Sequence, residues 1–98
     1  MQVAQTILQQ LGGNRFIAMT GARDFVGLAN GLQFSLPQRL CTNKANKARV
    51  ILAADDTYTL EFFSIRGVNV KAISEHAMVY ADNLAALFTE QTGLAVRL

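Results

Sequence analysis

The chain has 98 residues, 51% of them apolar and 16% charged, with a formal net charge of +2. That length holds one hydrophobic core, hence a single domain over residues 1–98, and the composition excludes both a disordered chain and the dense acidic surface of a DNA mimic. Cys41 is the only cysteine, which excludes an intrachain disulfide and a cysteine-rich zinc site, and the longest apolar runs (Val50 to Ala54 among them) are far below the roughly 18 residues needed to span a bilayer.

The first predicted element is a short helix, with Ala4, Ile7, Leu8 and Leu11 on one face at helical spacing and Gly12-Gly13 as its stop. Arg15 to Thr20 reads as a first strand by its alternation, with Ile17 and Met19 on one side and Phe16 and Ala18 on the other. Asn30-Gly31 then predicts a type I′ turn between strands at 25–29 and 32–36, with Leu32, Phe34 and Leu36 facing the core and Pro37 ending the strand. After a polar loop, a second hairpin runs from Arg49–Ala53 through Asp55-Asp56-Thr57 to Tyr58–Phe62, with Tyr58, Leu60 and Phe62 pointing inward. Gly67 marks a turn or bulge, and 68–73 forms a last strand.

A longer C-terminal helix carries Ala77, Tyr80, Leu84, Leu87 and Phe88 as its stripe and is stopped by Gly93. Its start has two readings: a cap at Ser74, or a strand that runs on to Val79 and hands over at Asp82. The sum is an α+β fold, a meander-like antiparallel sheet of about five to six strands with an N-terminal and a longer C-terminal helix.

The charge is unevenly spread. Residues 1–54 carry Arg15, Arg23, Arg39, Lys44, Lys47 and Arg49 against Asp24 alone, a balance of +5. Residues 55–98 carry Arg66, Lys71 and Arg97 against six acids, a balance of −3. Four cations crowd the polar 38–49 stretch without an acid, so this loop is the candidate contact for an anion, most often a phosphate. Gly12-Gly13-Asn14-Arg15 and Thr20-Gly21-Ala22-Arg23 are glycine turns that end in arginine, and placed at the same end of the sheet they add Arg15 and Arg23 to that surface. The candidate phosphate-binding residues are therefore Arg15, Arg23, Arg39, Lys44, Lys47 and Arg49. Four phosphate contacts from the loop predict binding whose logarithm falls with log salt at a slope of about −3.6.

Other chemistry has plainer explanations. Asp55-Asp56-Thr57 is turn chemistry and Glu61 the solvent side of a strand, which is a better account than a metal or acid-base cluster. His76 is the only histidine, and Ser35, Ser64 and Ser74 sit in no nucleophile-elbow pattern, so the expectation is no enzyme, no cofactor and no metal. Lys44 near Cys41 raises the idea of a reactive thiolate, with an inert loop or core thiol as the stronger reading.

Three stretches carry a resemblance: Leu11 to Ala22 (LGGNRFIAMTGA), Ala54 to Phe62 (ADDTYTLEF) and Tyr80 to Leu94 (YADNLAALFTEQTGL). Together the chain resembles a family of small uncharacterised phage and prophage proteins, over most of its length apart from the 37–48 loop. The resemblance implies a setting, the bacterial cytoplasm, and no activity, cofactor or catalytic residue. The expected function is a non-catalytic accessory protein that binds DNA, RNA or another phosphate-bearing ligand through the basic loop, as a homodimer. The alternatives are a counter-defence inhibitor that engages a host protein or sequesters a nucleotide signal, and a structural protein that oligomerises through a strand edge. The N-terminus lacks the basic start and apolar run of a secretory signal, which agrees with a protein that stays where it is made and touches no membrane.

Overall fold

The computed structural model describes residues 2–94; Arg97, counted in the charge balance above, lies outside them. Two helices, α1 (Gln2–Leu11) and α2 (Asn14–Thr20), lead into five strands, β1 (Arg23–Leu28), β2 (Gly31–Ser35), β3 (Lys47–Leu52), β4 (Tyr58–Arg66) and β5 (Asn69–Val79), and α3 (Ala81–Thr92) closes the chain. The strands form one antiparallel sheet in the order β1-β2-β3-β4-β5. This is the α+β meander the sequence predicts, with five strands.

One face of the sheet is the floor of the core. Leu32 and Phe34 on β2, Ala48 and Val50 on β3, and Tyr58, Leu60 and Phe62 on β4 are buried there, as strand alternation requires. Ala4, Ile7 and Leu11 of α1, Phe16 of α2 and Leu84 and Phe88 of α3 close over them. Phe88 is central, with its ring centroid 5.0 Å from Phe16 and 6.1 Å from both Phe34 and Phe62. No helix among the described residues is long and apolar enough to cross a membrane.

The segment expected as a first strand is α2. Seven residues satisfy a period of two and a period of 3.6 almost equally, and what decides is burial: Phe16 and Thr20, four apart, are the two residues that α2 buries. Glycines with positive φ bound it, Gly13 at 61° and Gly21, in the left-handed helical conformation, at 75°. Thr20 Oγ1 donates to the Phe16 carbonyl at 2.6 Å and accepts from the Ala22 N–H. The end of α3 repeats this arrangement: Thr92 Oγ1 donates to the Phe88 carbonyl at 2.8 Å and accepts from the Leu94 N–H, beside the left-handed Gly93. The shared Phe-x-x-x-Thr-Gly pattern ends both helices with a buried hydroxyl that bonds back to the carbonyl four residues earlier and satisfies one exit amide.

Two other expectations change. The two-residue turn of the first hairpin is Ala29-Asn30, since Leu28 pairs with Gly31, and neither residue has the positive φ of a type I′ turn. Gly31 is needed for space instead: a Cβ there would lie 2.3 Å from the Val50 carbonyl oxygen. The start of α3 follows the second reading, with β5 continuing to Val79, so Ser74 is a strand residue and not a cap. Gly67 does open a turn, at φ 58° between the paired Arg66 and Asn69.

Candidate anion-binding site

The site grows out of the β4–β5 hairpin. The side of β4 that buries Leu60 and Phe62 continues past the core as Ser64 and Arg66, every second residue keeping the same face. Across the ladder Ser64 pairs with Lys71 and Arg66 with Asn69, so two cations and two polar groups share that face. A bulge at Ile73, between the pairs Phe62–Ser74 and Phe63–Ala72, sets this register. The end of the hairpin from Arg66 to Ala72 is exposed, and its face here is polar instead of apolar.

The loop between β2 and β3 supplies the opposite wall. Thr42 is tied to the end of α3, its N–H donating to the Thr92 carbonyl at 2.9 Å. Asn46 clamps β4: its Nδ2 donates to the Ile65 carbonyl and its Oδ1 accepts from the Ile65 N–H, both at 2.8 Å. Between these anchors Lys44 takes a left-handed backbone, φ 64°, which is uncommon for a residue with a Cβ. Its N–H donates to the Cys41 carbonyl and its own carbonyl accepts from Gln38 Nε2 at 2.8 Å, so the backbone is held while the side chain stays exposed.

Hairpin and loop enclose a concavity of about 630 Å³, with Lys44, Arg66 and Lys71 as its charges and Gln38, Asn43, Ser64 and Asn69 among its polar lining. No carboxylate lines it. Among the described residues the ion pairs are Arg23–Asp24 and Arg49–Glu61, so none of these three cations is neutralised by a neighbour. Asn43 adds an unusual donor. Its Oδ1 accepts the Ala45 N–H, which fixes the amide orientation, and its Nδ2 is buried with no acceptor. An uncompensated buried N–H of this kind costs about 1–3 kcal/mol.

The six cations singled out in the sequence separate into four groups. Lys44 lies in the concavity. Arg23 and Arg39 line an adjoining groove with Leu40 and Asn46, and Gln38 belongs to both hollows. Arg23 makes only a long contact with Asp24, 3.9 Å between two highly exposed side chains, which leaves its charge available to an anion.

Lys47 and Arg49 point to the outer face of the sheet and are occupied there. Lys47 Nζ donates to Ser35 Oγ at 2.9 Å. Arg49 donates to Gln33 Oε1, pairs with Glu61 at 3.7 Å and lies 5.1 Å over the Phe63 ring. Arg15 lines a different hollow, with Asp82 at the start of α3.

Arg66 and Lys71 are the residues that sequence reasoning missed, because they sit in the acidic half of the chain. The signal was present in the hairpin itself: with a turn at Gly67, alternation puts Ser64 and Arg66 on one face and antiparallel pairing brings Lys71 opposite. The remaining candidates follow their plainer readings. Asp55 accepts from both the Thr57 hydroxyl at 2.6 Å and the Thr57 N–H, and these bonds hold its carboxyl below the ordinary value of 3.8. Cys41 is buried, and loss of solvation raises its thiol pKa, the opposite of activation by Lys44. His76 is on β5, within hydrogen-bond distance of Ser74 Oγ and edge-on to Phe62, and not at a helix start. No group of three or more potential metal ligands occurs among the described residues. Tyr58 and Phe62 are core residues, and Phe63 lies beneath Arg49, so none of the three lines the basic hollows.

No protein-family model, curated protein or solved structure matches this chain.

Proposed function

We propose that this protein is a non-catalytic binding protein for phosphate-bearing ligands, held by Lys44, Arg66 and Lys71. The observation that carries this reading is the convergence of three unneutralised cations, from two separate segments, on one concavity without a carboxylate. Like charges held together repel one another, and an anion with several negative charges relieves that repulsion while accepting hydrogen bonds. The rest of the lining fits the same role. Ser64 and Asn69 offer donors, and Arg66 offers a planar fork for phosphate oxygens. The volume lies within the range of small-ligand pockets. Lining groups that donate hydrogen bonds and carry positive charge are suited to holding an anion, not to taking up its proton. The phage resemblance supports an accessory role in a host cell.

Calorimetric titration with inorganic pyrophosphate and with a nucleoside triphosphate tests the proposal. The unmodified protein is expected to bind both. A Lys44→Glu/Lys71→Glu variant is expected to lose about a hundredfold in affinity, each removed charge-assisted contact being worth about 1.5 kcal/mol. A charge-reversed variant that binds both ligands unchanged refutes the assignment.

A further inference from the structure

The concavity is not isolated. Gln38 lies on the divide between it and the groove that holds Arg23 and Arg39, and this divide is fixed, because Gln38 Nε2 donates to the Lys44 carbonyl at 2.8 Å and to Ser64 Oγ at 3.2 Å. Neither hollow has a carboxylate in its lining. The groove also presents Leu40, 66% exposed, an apolar side chain among cations. A small inorganic anion has no use for two more cations beyond a divide, nor for an exposed leucine. A chain of phosphates with flat, partly apolar groups between them uses both.

We infer that the groove and the concavity form one continuous track for a single-stranded nucleic acid, with its phosphates passing Arg23, Arg39, Lys44, Arg66 and Lys71 and one unpaired nucleotide seated in the concavity. This rests on the phosphate-binding reading above and names its ligand. A single strand is favoured over a duplex because a base enters a concave pocket only when it is unstacked and unpaired, and a duplex would first have to flip one out. No aromatic ring lines either hollow, so stacking platforms contribute little and the binding is dominated by charge, with slight sequence preference. Phosphate contacts do not distinguish DNA from RNA, so the track accepts either strand.

The test is fluorescence anisotropy with a labelled ten-nucleotide strand of mixed sequence, as DNA and as RNA, titrated over a range of salt concentrations. Pyrophosphate binding by the unmodified protein is measured in the same buffer. Five contacts to a single strand predict a log–log salt slope of about −3.5, and an Arg23→Ala/Arg39→Ala variant, with three left, a slope of about −2.1. An Arg49→Ala variant keeps the slope of the unmodified protein. The matching duplex binds at least tenfold more weakly than the single strand.

A slope that stays near −3.5 without Arg23 and Arg39, or a duplex that binds as tightly as the strand, overturns the track. If pyrophosphate binds while the strand binds no better than a mononucleotide, the track is wrong and the phosphate pocket stands. If pyrophosphate also fails to bind, both are wrong.

Discussion

Lys44 and Arg49 lie a few positions apart in one basic stretch, yet the fold gives them opposite surroundings. Arg49 sits in a row across the outer face of the sheet, where Gln33 accepts its hydrogen bonds, Glu61 partly neutralises it and Phe63 lies beneath it. Lys44 is on a loop held by its backbone, and its charge meets Arg66 and Lys71 instead of an acid. The lesson is that a count of cations along a chain measures supply, while register and loop anchoring decide which of them are left with unmet charge. The same holds for the acids: Asp55 is used by Thr57 and Glu61 by Arg49, and among the described residues no acid of the second half forms an ion pair with Arg66 or Lys71.

The contrast can be broken most strongly at its origin, the pairing of β2 with β3. Gly31→Ala places a Cβ against the Val50 backbone, which cannot move without disturbing the ladder that turns Arg49 outward. The expected loss is about 3 kcal/mol, at the upper end for overpacking, read as a lower urea midpoint. Next is the loop anchor. Asn46→Ala removes both bonds to the Ile65 backbone, and about 2 kcal/mol of stability is expected to go with them. Because Asn46 positions the loop without touching the concavity's contents, pyrophosphate affinity is expected to fall as well, whereas a purely structural role would leave the folded protein's affinity unmoved.

Arg49→Ala removes the occupied cation instead. The pair with Glu61 is partly exposed, so about 0.5–1 kcal/mol of stability is expected to be lost, with pyrophosphate affinity unchanged in calorimetry. The smallest effect is the pH dependence of the β3–β4 turn. The Asp55 carboxyl is held below its ordinary value by Thr57, so its contribution to stability is fully present above about pH 4 and fades as pH falls through the lowered folded value. Urea curves for Asp55→Asn and the unmodified protein should therefore lie furthest apart above that pH and converge below it.

Much of the fold was legible from local pattern. Alternation at Leu32–Leu36 and Tyr58–Phe62 identifies the core face of the sheet, and Gly93 identifies the end of α3. What was not legible depended on tertiary contact. Seven residues from Asn14 to Thr20 carry too few periods to choose helix over strand until the core chooses Phe16 and Thr20. Asn30-Gly31 resembles a turn by composition, yet Gly31 answers to the crowding of Val50 on the neighbouring strand. The site divides in the same way. Lys44 was visible as part of a run of unopposed charge, while Arg66 and Lys71 become part of the surface only when a hairpin from the acidic half is folded against the loop.

The most direct measurement is a titration of ¹⁵N-labelled protein with pyrophosphate, followed residue by residue by NMR. Amide shifts are expected to concentrate on Asn43, Lys44 and the hairpin from Ser64 to Lys71, while Gln33, Arg49 and Glu61 stay still. Shifts centred on the Arg49 row, or no saturable shift anywhere, would contradict it.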